Sequence, residues 1–390
     1  MKLKRSLFAC LLTALILFSE TATRAAVAAD ASTLKQHVDA IISPLMKEHS
    51  IPGMAVGITS QGERHIFVYG LAVKESGQKV TESTLFEIGS VSKTFTAMLV
   101  AYAQAQGCLS LADAASKHLP ALKGSSFDTI SVLNLGTYTA GGLPLQFSNS
   151  VNNEKQMLAY FKNWKPEFTA GSHRMYSNPS LGLFGYLAAR SMGEDFDDLM
   201  EKKLFPLLGL SNTYIRVPQN RVGEYAYGYT KDGRPVRVSP GVLDSEAYGV
   251  KTTAGDLLRF LEVNMHPEKL DAVLSRAVTA TRSGYHTVGG MTQGLGWEMY
   301  AYPAELETLL AGNSTKMILE ANKTAELDPP SPPRPEMLCN KTGSTNGFGS
   351  YVVFIPEREL GIVLLANKGY PNPVRVEAAY RILTALESMR

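Results

Sequence analysis

Cysteine is scarce in this 390-residue chain, which has only Cys10, Cys108 and Cys339. So few thiols cannot form the disulfide framework of a small secreted scaffold, and a core must carry the stability instead. Charge of one sign is missing too, since 38 Lys and Arg stand against 36 Asp and Glu, for a net +2. That balance gives no electrostatic footprint for nucleic acid. The seven histidines, among them His37, His49 and His286, include no two that lie two, three or four residues apart. Paired zinc-ligand motifs are therefore absent, and neither a metal nor another cofactor is expected. Past the N-terminus no apolar run reaches the ~18 residues of a membrane span. What is present is ordinary for a globular protein: 45% hydrophobic and 19% charged residues, with 33 Gly and 20 Pro. The length predicts about two domains.

The first residues read as an export signal. Lys2, Lys4 and Arg5 precede an apolar run from Leu7 to Phe18, and small residues surround Ala26-Val27-Ala28. A basic start, a short apolar stretch and an A-x-A site are the parts of a secretory signal peptide. As a helix the run spans only ~18 Å, short of a ~30 Å hydrocarbon core. Residues 1–28 are therefore expected to be cleaved, which implies a periplasmic product with no membrane contact. Lys2, Lys4, Arg5 and Arg24 against Glu20 give that segment +3, leaving −1 for the rest. Cys10 leaves with it, and Cys108 and Cys339 are expected as buried free thiols.

Helical spacing over Leu34–Met46 stops at Pro52-Gly53. Gly53–Thr59 and Arg64–Gly70 read as a hairpin, as do Ser350–Ile355 and Leu360–Ala366. Asn372-Pro373 is expected to cap and open a closing helix with Val376, Ala379, Tyr380, Leu383 and Leu386 on one face. Helical periodicity dominates from about Thr94 to Leu208, as in Asp195–Phe205. Residues 213–250 read as one long polar loop, a length usually reserved for function. The run Pro329–Pro335 reads as an extended connector excluded from a central ladder. The fold class is α/β (α+β): an antiparallel sheet from both chain ends, flanked by terminal helices, with a mostly helical insertion. Residues 29–86 and 230–390 are assigned to the α/β domain and 87–229 to the helical one, with the active site at their interface.

Three short motifs carry the chemistry. In Ser90-Val91-Ser92-Lys93, helical spacing sets the Lys93 ammonium beside the Ser90 hydroxyl. A helix start also favours a developing anion, so Ser90 suits a nucleophile. Ser76-Gly77-Gln78-Lys79 repeats the spacing, but in a polar turn with no helix to hold the pair. In Tyr176-Ser177-Asn178 the phenol can shuttle a proton and the amide can bind a substrate amide. Tyr370-Pro371-Asn372 repeats that pattern too. Lys341-Thr342-Gly343-Ser344 occurs once, offering a cation and a hydroxyl to a carboxylate. Gly343 there lets a ligand approach the strand closely. Each motif is weak alone, whereas all three in this order in an exported chain are specific. S-x-x-K with K-T-G is the signature of serine β-lactamases and penicillin-binding proteins.

The stretch from Phe86 to Thr96 resembles the nucleophile region of class C serine β-lactamases, the AmpC-type cephalosporinases. Tyr138–Gln146, Glu246–Val250 and Leu365–Lys368 resemble the same family, and matches run from about Leu34 to Leu386. Class A enzymes are shorter and carry Ser-Asp-Asn where this chain has Tyr-Ser-Asn. The resemblance implies a serine β-lactamase/penicillin-binding-protein fold and a monomer acting on β-lactam antibiotics, cephalosporins and penicillins. It implies a Ser90 acyl-enzyme, with the backbone N–H groups of Ser90 and Ser344 as oxyanion hole. Gln146 and Asn178 would supply side-chain amide contacts. Lys341, Thr342 and Asn372 would hold the substrate carboxylate, and Tyr248 would line the pocket. Two positions depart from the family pattern: Asn346 where glycine is common, and Gly369 where asparagine is often seen. Asn346 is expected at the site edge, beside Gly343 and Ser344.

Tyr176 and Lys93 both remain as general base. Bringing a free tyrosine from about 10 to near 7 costs about 4 kcal/mol, which the Lys93 and Lys341 charges can largely offset. A neutral, buried Lys93 needs a change of similar size. A D-Ala-D-Ala peptidase or esterase would use the same parts and differ in deacylation. A non-catalytic periplasmic binding protein would have no use for a nucleophile.

Overall fold

In the computed structural model, which describes residues 32–389, the first element is helix α1 over residues 32–48. The proposed signal segment lies outside the described residues. Helix α1 buries Leu34, Val38, Ile41, Ile42 and Leu45, the stripe its spacing predicts. Strands β1 (Gly53–Ser60) and β2 (Glu63–Val73) follow as an antiparallel hairpin. Gln61 and Gly62 join them, both at positive φ (51° and 84°), the geometry that suits the strands' twist.

Ten strands form the main sheet. After β3 (Gln78–Lys79) come β4 (Gly284–Val288), β5 (Met291–Gln293) and β6 (Glu298–Ala301). The rest are β7 (Ala325–Ser331), β8 (Met337–Ser344), β9 (Gly349–Ile355) and β10 (Leu360–Ala366). Their spatial order is β7-β4-β5-β6-β8-β9-β10-β1-β2-β3. Every pairing in this sheet is antiparallel, and Met54 of β1 sits opposite Ala366 of β10. The prolines of Ala325–Ser331 lie on an edge strand, where a missing N–H leaves no partner unsatisfied.

The central strands are buried on both faces and so read as near-continuous apolar runs. Met54, Val56 and Ile58 join one cluster with α1 and with the closing helix, α8 (Asn372–Ser388). Ala55 belongs to another, with Leu257, Leu258 and Leu261 of α6 (Ala254–Met265). Helix α2 (Ser92–Ala105) enters that second cluster, with Phe95 stacked on Phe260 at 3.9 Å. A third cluster fills the helical region around α4 (Asn178–Met192), which packs on α2 and on the short α5 (Asp244–Tyr248). Helices α3 (Glu154–Asn163) and α7 (Ala272–Arg282) complete the framework.

Four local expectations need correction. Residues 213–250 are not one loop: Thr213–Tyr214 pairs with Lys251–Thr252, Gly228–Tyr229 pairs with Pro235–Val236, and α5 ends the stretch. Strands of two residues leave no periodicity to detect. Asn372 does not cap α8, whose N-cap is Pro371 with no side chain closing the turn. Within Asp195–Phe205 the helix widens to a π turn over Leu199–Leu204. Cys108 is half-exposed instead of buried, whereas Cys339 is buried with its thiol pushed up to about 12. Among the described residues no helix is long and apolar enough to cross a membrane.

Candidate active site

Ser90 sits on a 3₁₀ turn, Gly89–Val91, that runs directly into α2. This turn presses on β8. A Cβ on Gly89 (φ +50°) would lie 2.4 Å from the Ser344 backbone N, and one on Gly343 would lie 2.0 Å from the Ile88 carbonyl oxygen. Both positions therefore require glycine. What approaches Gly343 so closely is the chain's own serine turn, not a ligand. The Ser350 hydroxyl fixes the contact by donating to the Ile88 carbonyl at 2.7 Å.

Lys93, the second residue of α2 and one turn after Ser90, is fully buried. Its Nζ donates to Ser90 Oγ at 3.0 Å and to the Ala247 carbonyl of α5 at 2.7 Å. Burial lowers its ammonium to about 8, with Lys341 adding to the effect and Tyr176 opposing it. Tyr176 precedes α4, whose N-cap Ser177 accepts from Ser180 N at 3.1 Å. Its ring lies 5.2 Å from Lys93 Nζ and 5.0 Å from Lys341 Nζ. Burial alone would push the phenol up. The Lys341 and Lys93 ammonium groups, with the Ser90 hydroxyl, outweigh burial and hold it below its ordinary value.

A cleft of about 220 Å³ opens over these groups. Ser90, Tyr176, Lys341, Thr342, Gly343 and Ser344 line it. Gln146, Asn178 and Asn372 also line it, and the Asn178 Oδ1 is buried without a partner. Lys93 lies behind Ser90. Two expected residues are elsewhere. Tyr248 is half-buried at the end of α5, outside the cleft lining. Asn346 is exposed on the turn between β8 and β9, also outside the lining.

Several groups escaped motif reading. Glu298 of β6 pairs with Arg174 at 2.8 Å and with Lys341 at 3.5 Å, placing a buried carboxylate behind the K-T-G lysine. Arg174 also donates to Gln293 Oε1 at 2.7 Å. Arg375 of α8 donates to the Gly343 carbonyl at 2.5 Å and to Ser344 Oγ at 2.9 Å, tying the closing helix to β8. No fixed spacing links these residues to the motifs they support. Among the described residues no three His, Cys, Asp or Glu side chains converge as a metal site requires. The arrangement offers a hydroxyl nucleophile, a phenol biased toward its anion, and a cation set for an acidic substrate.

A family model for beta-lactamases matches residues 38–387. A beta-lactamase from Pseudomonas fluorescens is 55% identical over 357 residues, spanning 92% of this chain and 100% of the relative. One from Lysobacter lactamgenus is 47% identical over 358 residues, 92% of this chain and 93% of the relative. Among solved structures, a class C beta-lactamase in complex with cefoxitin matches with a TM-score of 0.89 at 48% identity, covering 91% of this chain and 99% of that one. A beta-lactamase/D-alanine carboxypeptidase from Pseudomonas syringae matches with a TM-score of 0.88 at 49% identity, covering 90% and 98%. Likeness of this depth along nearly the whole described chain makes it a member of the β-lactamase family, and within that family a class C serine enzyme.

Proposed function

We propose that Ser90 Oγ attacks the carbonyl carbon of cephalosporins and penicillins, with Tyr176 as general base. The serine proton passes to the phenolate oxygen as the O–C bond forms. It then moves to the ring nitrogen as the C–N bond breaks, leaving a Ser90 ester that water hydrolyses. One observation carries the reading. Tyr176 stands between two ammonium groups, one of which is hydrogen-bonded to Ser90 Oγ at 3.0 Å. The two cations favour the phenolate over the phenol, and Lys93, about nine-tenths protonated at pH 7 with a value of about 8, remains a cation.

The backbone N–H groups of Ser90 and Ser344 would receive the oxyanion, each donor worth ~3–4 kcal/mol. The abutment of Gly89 on Ser344 supports this by bringing the serine turn onto the end of β8. Lys341, Thr342 and Asn372 would hold the substrate carboxylate, while Gln146 and the unpartnered Asn178 amide would take the side-chain amide. We also divide the chain into 29–86 with 230–390 and 87–229, acting as a monomer in the periplasm. In support, the cleft draws on the sheet and on the helical region, and residues 1–28 have the pattern of an export signal. The test is turnover of a chromogenic cephalosporin together with mass spectrometry of the trapped ester. Ser90→Ala should lose both the adduct and turnover, and an adduct surviving in that variant would assign the nucleophile elsewhere. The relative from Pseudomonas syringae named for both activities gives a second reading, D-Ala-D-Ala peptidase action. Release of D-alanine from an acyl-D-Ala-D-Ala peptide, measured on the same sample, decides it.

A further inference from the structure

Helix α5 serves the catalytic cleft through Ala247, yet the residue before it faces a different space. Glu246 lines an open cavity of about 820 Å³ bounded by α3, α4 and the chain at 193–196 and 242–246. Glu246 is 94% buried, and among the described residues no other residue forms an ion pair or side-chain hydrogen bond with its carboxyl. Met157, Phe196 and Leu243 give the cavity an apolar, buried wall. Its mouth carries the exposed carboxylates of Glu154, Glu194 and Asp195 against the Arg190 guanidinium and the His118 imidazole.

Among the described residues no cation pairs with Glu246. Lys203 is engaged by Glu194 at 2.8 Å, Arg216 by Asp197 at 2.6 Å, and His118 by Asp113 at 2.8 Å. Arg190 lies over the Tyr186 ring at 6.0 Å, and the Tyr186 hydroxyl donates to Glu154. The charged groups acting most on Glu246 are all acids: Asp197, Asp244 and Asp195. Burial, reinforced by those acids, pushes its carboxyl up to about 8. A buried acid without a counter-ion is costly, and here it opens onto a space large enough for a small molecule.

We propose that this cavity is a second ligand site, which takes a small organic cation: a protonated amine on an aryl or alkyl body. The ammonium meets the Glu246 carboxylate, the body lies on Met157, Phe196 and Leu243, and the acidic mouth favours entry of positive charge. Two consequences follow from the surroundings. Glu246 is largely protonated at pH 7, so pairing with an ammonium expels its proton, approaching one H⁺ per ligand bound. The site also adjoins the catalytic machinery, because Thr96 Oγ1 holds the Glu246 carbonyl at 2.6 Å and the next carbonyl holds Lys93. Occupancy should therefore alter kcat more than KM.

Calorimetry with benzylammonium chloride, in two buffers of different ionisation enthalpy at pH 7, tests the proposal, with benzyl alcohol as the uncharged probe. Saturable binding of the amine, at least tenfold tighter than of the alcohol and with proton release, is expected. It should persist after the active site is blocked by a slowly released β-lactam. Glu246→Gln should weaken the amine at least tenfold and abolish proton release. Equal binding of amine and alcohol, loss of binding on blocking Ser90, or proton release surviving in the variant would each overturn it. If the variant does not fold, the amine–alcohol comparison and the proton count on the unaltered enzyme still decide.

Discussion

At the scale of single residues, ionisation assigns the catalytic roles. With Tyr176 as base, the productive state needs a charged Lys93, whose burial lowers it to about 8. kcat/KM should then fall as pH rises through about 8, since the pair loses the ammonium that pairs with the phenolate and donates to Ser90 Oγ. The apparent value belongs to the coupled pair. A rise through the same range in a pH–rate profile would make neutral Lys93 the base. Lys341→Ala removes the other ammonium beside Tyr176, so every substrate should slow. A β-lactam bearing a carboxylate should lose about 10–100-fold more than its carboxylate-free ester, the worth of a charge-assisted hydrogen bond of about 1.5–3 kcal/mol. Equal losses would confine Lys341 to tuning Tyr176. Asn346 is exposed, and Asn346→Gly should keep kcat/KM within about twofold across cephalosporins that differ in their leaving substituent. A selective change in that series would give the side chain a contact with substrate.

At the scale of elements, the close fit of the serine turn on β8 sets the precision of the cleft. In Gly343→Ala the added carbon would meet the Ile88 carbonyl at 2.0 Å and the Val91 N at 2.9 Å, both backbone atoms unable to swing aside. The turn must shift, and a misplacement near 1 Å costs about 100-fold in rate, while overpacking costs about 1–3 kcal/mol of stability. Kinetics set beside a denaturant melt should show the rate loss outrunning the stability loss, and near-normal activity would discount the contact. The same elements mark where sequence reading succeeds. Ser90 with Lys93 is legible because a helical turn fixes their spacing. The two hairpins are legible because strands of seven or more residues carry a pattern. Glu298 and Arg174 are not, because Glu298 reaches Lys341 only through the order of strands in the sheet, and Arg174 reaches Glu298 only through tertiary packing. Tyr248 and Asn346 adjoin motif-like segments, but nearness along the chain does not decide which side of a helix or turn faces the cleft.

At the scale of the whole molecule, β1 finds its partner at the far end of the chain. Gly53 N donates to Asn367 Oδ1 at 2.7 Å, across a sequence separation of 314 residues. That amide also reaches the Leu71 carbonyl at 2.9 Å and the Tyr227 carbonyl at 3.1 Å, so one side chain ties together three distant segments. During synthesis the first hairpin emerges early, but one edge stays open until almost the last residues arrive. Contacts so distant slow folding and leave apolar strands exposed meanwhile. A chain stopped after residue 344 retains Ser90, Lys93, Tyr176 and Lys341 but lacks β9, β10 and α8. It should pellet on centrifugation and take no label from a fluorescent penicillin, and a soluble, labelled product would show that the two ends are separable. Read as a matter of timing, the β1–β10 seam withholds chemistry from every unfinished chain, because the ribosome delivers the nucleophile long before the strand that completes its scaffold.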